Sequence, residues 1–423
     1  MRHLLVLLLL LAGVASCSDY DEEHYDASEP QHYGRVVVVY MSGDNNLSTC
    51  ALNDLAELRR GSRAVDGSDR LLLFVDHLRD ARPYVIDVTA GAVDTVMRYP
   101  SEVYASDPAL FRSTLDSLMR RYPADDYGLV LWGHSSGWLI ERDTIAGTLA
   151  PAGRRAYGYD SRGDQGATTA RWMNVTQMAR ALEGLPRFRF IMGDCCCMLC
   201  VETAYELRHA ADYLIGSPAE IPGDGAPYDV IVPLLFSRTD SFCRDIVDAY
   251  YAHYQATYQT GEYAQDFDMA YLQGYSVPLA VVDLQHMDAL AEVTRRVLMP
   301  REQYSVDGLT YYFGQLFAYS FVPVMYDMGN VMARNLPYAD YAQWRVALDK
   351  AVPYRLNSSR WMTIYSALRS SMRSSTFEPN DTAYAGLSMF VPLSLYDRYA
   401  GCDYNETIKT TQWYDAIGWG REP

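Results

Sequence analysis

The sequence predicts an α/β fold built on a mostly parallel sheet with helices on both faces. Three observations predict it. Apolar or β-branched runs recur at Val36–Met41, Leu71–Asp76, Tyr127–Trp132, Phe188–Met192 and Tyr213–Ser217, and such runs read as strands buried on both sides. Amphipathic stretches separate them, at about Ala51–Arg60, Pro108–Arg121 and Met173–Leu182, and strand–helix alternation selects parallel pairing. Polar or glycine-rich loops follow the runs, as expected where ligands gather beyond the carboxyl ends of strands.

Taken in order, the chain opens with Arg2, the apolar stretch Leu4–Val14 and V-A-S-C ending at Cys17. The apolar stretch is too short to span a bilayer and has the form of a bacterial lipoprotein signal. Cleavage there would leave a lipidated Cys17, placing the protein in the bacterial cell envelope, anchored to a membrane by acyl chains. Residues 1–16 are read as signal peptide, 17–34 as an acidic tether, 35–240 as the main α/β domain and 241–423 as a C-terminal portion adding strands and helices. A net charge of −17 argues against nucleic acid as a partner. The cysteines beyond Cys17 are odd in number and four are bunched, unlike a disulfide scaffold.

Tyr84–Val88 reads as a hairpin partner of the second strand. Leu139–Arg171 turns loop-like and is long for a connection. The second half is less regular: Phe242–Thr257 and Met287–Val297 read as helices around a strand at Pro278–Leu284, Gln343–Ala351 as a helix, and Gly386–Pro392 as a late strand. Tyr304–Tyr326 shows no legible period.

The third strand ends in G-H-S-S-G-W and the fourth in G-D-C-C-C-M, so His134 and Cys196 both lie just past buried strands. A thiol there lies near the amides of a following helix start, where thiolate is favoured. Cysteine peptidase chemistry needs that thiolate, an imidazole to protonate the leaving amine, and amides to hold the oxyanion. The backbone of Ser135 and Cys196 could supply the amides. Asp194, two residues before Cys196, faces the same way roughly 6.6 Å away along the strand, about where a basic side chain beside the scissile bond would sit. Asp224, in the turn-rich loop after the fifth strand, could add a second carboxylate. Two such acids favour a cation between them.

These motifs resemble the clostripain family of cysteine peptidases. The likeness rests on L-W-G-H-S-S-G-W at Leu131–Trp138 and D-C-C-C-M at Asp194–Met198, with Glu202 and Leu207 in step. Y-M-S-G-D-N-N-L at Tyr40–Leu47, P-G-D-G-A-P-Y-D at Pro222–Asp229 and G-L-S-M-F-V-P near the end add to it. The resemblance implies a three-layer α/β/α caspase-like fold with a C-terminal α+β portion packed on it. It implies His134 and Cys196 as a catalytic dyad, Asp194 and more weakly Asp224 as substrate-binding acids, and peptide or protein substrates cut after Arg or Lys. Self-cleavage between His134 and Cys196 occurs in such proteins, and Arg142, Arg154, Arg155, Arg162 and Arg171 are the candidate sites. Two departures stand out: Ser135 where related folds often have Gly, and Cys195 where Ala is usual.

Bland readings stand beside these. Cys197 and Cys200 form a C-x-x-C that reads as packing, with redox or metal use as rivals, but no second Cys/His pair at ligand spacing follows, so no metal ligand is assigned. His77 also follows a strand but has no Gly-rich loop behind it. Asp194 could be a helix cap, and Asp44 and Asn45 read as loop-shaping residues. The chemistry needs no cofactor; calcium dependence occurs in the resembled family, but no dedicated oxygen-rich loop is evident. The alternative function is a peptide-binding lipoprotein of peptidase ancestry that has lost turnover.

Overall fold

A computed structural model describes residues 31–78, 80–139, 157–161, 171–260, 276–317, 320–358, 361 and 382–420. The signal, Cys17 and most of the acidic tether lie outside the described residues. The strands are β1 (Tyr33–Gly43), β2 (Arg70–His77), β3 (Asp80–Asp87), β4 (Asp94–Arg98), β5 (Ala124–Gly133), β6 (Tyr157–Asp160), β7 (Arg171–Met173), β8 (Phe188–Asp194), β9 (Ala211–Gly216), β10 (Leu279–Asp283), β11 (Tyr311–Phe317), β12 (Ser320–Asp327), β13 (Tyr354–Leu356) and β14 (Ser388–Met389). A nine-stranded sheet runs in the order β13-β10-β9-β8-β5-β1-β2-β3-β4. Its middle, from β9 to β2, is parallel, and antiparallel strands extend both edges.

The unbroken apolar runs have the predicted reason. Side chains alternate across a strand, and here both faces are covered. Val36, Val38 and Tyr40 of β1 enter one core with Phe111, Leu115 and Leu118 of α2 (Pro108–Arg121), on the same face as α3 (Val175–Leu182) and α4 (Val201–Glu206). Val37, Val39 and Met41 enter the other with Ala51 and Leu58 of α1 (Ser48–Gly61), Ile231 of α5 (Tyr228–Leu235) and Ile246 of α6 (Phe242–Thr260). This is the three-layer arrangement expected. α2 starts where it does because Asp107 accepts from the amides of Ala109 and Leu110 at 2.8 and 3.2 Å, with Pro108 at the first helical position.

Three stretches differ from the sequence reading. Within Leu139–Arg171, read as loop, β6 forms a two-stranded antiparallel ladder with β7. The turn-rich loop after β9 passes at Tyr228 into α5, whose interior Pro233 disguises a helix. Tyr304–Tyr326 holds the β11–β12 hairpin, whose register shifts at Tyr311, Phe313 and Gly314. Those shifts destroy the two-residue alternation on which recognition of a strand depends.

β14 is only two residues long, yet it ties the second half to the cysteine loop. Ser388 bridges Cys200, and its amide donates to the Leu199 carbonyl at 3.0 Å. The Phe390 amide donates to Glu202 Oε1 at 2.8 Å. A third core joins Trp138, Cys197 and Cys200 to Phe313, Val324, Met325 and Phe390.

Candidate active site

Trp132 of β5 lies opposite Asp194 of β8 in the parallel ladder. His134 and Cys196 therefore leave the sheet side by side, each two residues past that pair, on strands about 4.8 Å apart. The loops they enter touch. Gly137 adopts φ 61°, and a Cβ on it would lie 2.5 Å from the Cys197 carbonyl oxygen and 2.9 Å from Cys200 Sγ. Only glycine allows that approach.

The His134 side is held by polar contacts. Nε2 lies 2.8 Å from Asn46 Oδ1; an amide oxygen only accepts, so this pairing puts the proton on Nε2. The Tyr159 ring stands edge-on to the imidazole at 6.2 Å, and the Gly158 amide donates to the His134 carbonyl at 2.8 Å. Asn45 donates to the carbonyls of Ser42 and Tyr159 at 3.1 and 2.6 Å, while Asp44 accepts from the Ser161 hydroxyl at 2.9 Å. Both shape the loop, as the sequence suggested. Asn46 was missed, although it lies inside a motif already singled out. His77, the rival histidine, is buried with Nε2 3.4 Å from the Tyr84 hydroxyl, and β1 separates its strand from β5.

The cysteine side is built from packing. Cys195 is buried in one core with the Ser135 hydroxyl against it, and Cys197 and Cys200 are buried in the third core. Burial pushes the Cys195 and Cys197 thiols well above the usual range and Cys200 to about 12. Cys196 alone of the four is partly exposed. The Ile221 amide lies 3.4 Å from its Sγ and the Ile221 carbonyl 3.8 Å away.

The helical pattern legible from Glu202 onward is α4, which begins at Val201 with Cys200 at its N-cap. The Ile221 amide donates to the sulfur. Cys197 takes φ 56°, a left-handed value unusual for a side chain with a Cβ. It is held there by its own amide, which donates to the Ala219 carbonyl at 2.8 Å, and by that of Leu199, which donates to Ser217 at 3.0 Å. Ser135 is buried, and its hydroxyl accepts from the Gly137 amide at 3.1 Å.

Acids converge around Gly225. Asp194 is 2% exposed and accepts from the hydroxyls of Tyr228 and Tyr250 at 2.6 and 2.9 Å and from the Ala226 amide at 3.1 Å. Burial raises its pKa, and these three donors oppose the rise. A Cβ on Gly225 would lie 2.7 Å from Asp194 Oδ2 and 3.1 Å from Asp54 Oδ2, so the backbone passes between two carboxylates. Burial and the neighbouring Asp194 push Asp54 up to about 9, against the Trp132 indole N–H that donates to it at 2.6 Å. Asp224 lines an adjoining pocket of about 390 Å³ with Asp54, Glu57, Arg60 and His253. Asp54 was not foreseen; its mark in the sequence is an acid on the apolar face of α1.

At the same rim, the carboxylates of Asp44, Asp76 and Glu102 offer one oxygen each, all within 4.8 Å of one another.

Known proteins share the sequence pattern and the fold. A sequence model of the clostripain family matches residues 39–387. Clostripain of Hathewaya histolytica is 24% identical over 221 residues, a match covering 46% of this chain and 41% of that protein. A secreted C11 cysteine protease from Bacteroides thetaiotaomicron, solved with an irreversible peptide inhibitor, superposes with a TM-score of 0.72 at 28% identity, covering 92% of this chain and 99% of that one. An inactive zymogen C11 protease from Parabacteroides distasonis superposes with a TM-score of 0.69 at 24% identity, with coverage of 92% and 99%, and shows the likeness of fold.

Proposed function

The chain belongs to the clostripain family of cysteine peptidases, and from that premise we propose that it is an endopeptidase cutting peptide bonds after Arg or Lys, with His134 and Cys196 as the dyad. The observation that carries the reading is the β5–β8 register, which sends both residues off neighbouring strand ends into loops in contact. The Cys196 thiolate attacks the scissile carbonyl carbon, and the amides of Ser135 and Cys196 receive the developing oxyanion. Proton transfer to the leaving amine falls to Nδ1 of His134, since Nε2 is held by Asn46. Water then attacks the thioester carbon, giving its proton to His134 and releasing the acid product and the thiolate.

The preference for basic residues rests on the acids around Gly225. Asp194 and Asp224 each repel Asp54, and a guanidinium or ammonium entering beside them relieves that repulsion. Asp224 lines the pocket, and Asp194 acts as the buried charge behind Gly225. Activation by self-cleavage between His134 and Cys196 belongs to the same reading. Of the candidate arginines, Arg171 is stacked over the Tyr104 ring at 4.2 Å in β7, while Arg142, Arg154, Arg155 and Arg162 lie outside the described residues. The lipid anchor at Cys17 and an envelope location complete the proposal. No helix among the described residues is long and apolar enough to cross a membrane.

A positional peptide library tests the reading. The parent enzyme should release product after Arg or Lys, Cys196→Ala should release none, and Asp194→Asn should lose basic substrates far more than neutral ones. Equal losses on both would remove the role of Asp194, and turnover by Cys196→Ala would overturn the dyad.

A further inference from the structure

We propose that Tyr159 and Trp172 form a subsite for the residue that follows the cut bond, and that this subsite takes a large apolar or aromatic side chain. The proposal rests on the peptidase reading above. The two rings lie 4.4 Å apart, tilted by 33°, and both residues are half-buried. Tyr159 in turn stands edge-on to the His134 imidazole at 6.2 Å.

Local structure turns these rings outward. Side chains alternate across a strand, and Met173 of β7 is buried in the core beneath α2 and α3, so Trp172 beside it faces away. In β6, Tyr157 enters the same core, and regular alternation would send Tyr159 after it. Gly158 at φ 71° breaks that alternation, and the β6–β7 register shifts between Tyr157 and Asp160. The strand is then pinned against the loops of the site. Asn45 Nδ2 donates to the Tyr159 carbonyl at 2.6 Å, and the Ser161 amide donates to the Asp44 carbonyl at 2.9 Å. Rings held before a ligand arrives cost little ordering on binding.

Position determines which residue of a peptide they meet. Tyr157 and Met173 anchor β6 and β7 on one face of the sheet, whereas Ala226 and Tyr228, just past Gly225, are buried on the other. His134 and Cys196 leave the strand ends between the two. A peptide whose basic side chain reaches the acids around Gly225 therefore carries its leaving half toward the aromatic pair. His134 gives its proton to the leaving amine, and the ring packed on His134 is that of Tyr159.

Chemistry narrows the class. Aromatic faces bury apolar side chains and pair with other rings, and they also attract cations. Arg171 precedes Trp172 in β7 and is half-buried, with its guanidinium 4.2 Å from the Tyr104 ring centroid. That charge disfavours a second basic residue beside it, which leaves apolar burial as the driving force.

The test is a series of internally quenched peptides with Arg before the cut bond and Gly, Leu, Phe or Lys after it. With the full-length protein, kcat/KM for Phe and Leu should exceed that for Gly and Lys by about tenfold or more. Trp172→Ala should bring the ratio within about threefold, and Trp172→Phe, which keeps a ring, should retain most of it. Calorimetric binding of the same peptides, uncut, to Cys196→Ala should follow the same order. A parent that does not discriminate, or that prefers Lys, overturns the proposal. A preference that survives Trp172→Ala also overturns it, because the selecting surface then lies elsewhere. A protein that cuts no Arg or Lys peptide fails the peptidase reading, and the binding order still decides this one. Cleavage after Arg without a preference for the next residue sinks this proposal alone.

Discussion

The two halves of the site are held by different kinds of force. Around Cys196, the chain is fixed by burial: Cys195, Cys197, Met198, Leu199 and Cys200 all lie inside cores, and the C-terminal strand β14 closes over them. Around His134, polar contacts are prominent, among them those of Asn46 and Asn45 in the loop after β1 and of Gly158 in β6. Close packing has one solution and tolerates little adjustment, whereas a hydrogen-bonded loop can be loosened or tightened by modest free energies. The Cys196 loop is thus preset and the His134 imidazole is adjustable. Damage on the cysteine side should be read in stability, and damage on the histidine side in turnover.

The largest effect expected from this contrast is at Phe390, whose ring packs 4.8 Å from Trp138 in the core beneath the cysteine loop. Phe390→Ala should cost about 3–5 kcal/mol of stability, measured by denaturant titration; a loss below about 1 kcal/mol would show that this core carries little.

Next comes Glu202, fully buried, with its pKa pushed up to about 8 by burial against the Phe390 amide that donates to it. The unfolded chain ionises near 4.3 while the folded chain still holds the proton, so stability from this group is lost as pH rises between about 4.3 and about 8. Glu202→Gln cannot titrate. The parent should therefore lose ground to it by roughly 2–4 kcal/mol between pH 5 and pH 8, and a difference independent of pH would refute the assignment.

The smallest effect on stability is expected at Asn46. Asn46→Ala should leave the melting temperature nearly unchanged and lower kcat about tenfold to a hundredfold by misplacing the imidazole. It should also alter the acid limb of the pH–rate profile. A large fall in melting temperature with an unaltered profile would erase the distinction between the two halves.

Much of this was legible in the sequence because it depends on local pattern. Unbroken runs such as Val36–Met41 gave the buried strands, and their ends gave His134 and Cys196. What was not legible depends on distant residues meeting. Asp54 reads as one polar residue on a helix until β8 brings Asp194 toward it around Gly225. Asp44, Asp76 and Glu102 are dispersed and show no spacing.

The abundance of tyrosine, unexplained by any motif, acquires a reason in part. Tyr228 and Tyr250 fill apolar space while donating to Asp194, and Tyr312 does the same for Asp327 at 2.7 Å. A phenol can serve a core and a buried acid together. A left-handed turn at Cys197 lies between Cys196 and the start of α4 at Val201.

The link between Ser388 and Leu199 spans 189 positions of chain. A ribosome that has delivered the cysteine loop has not yet delivered the strand that braces it. A nascent or truncated polypeptide ending before Ser388 carries the sulfur without that brace.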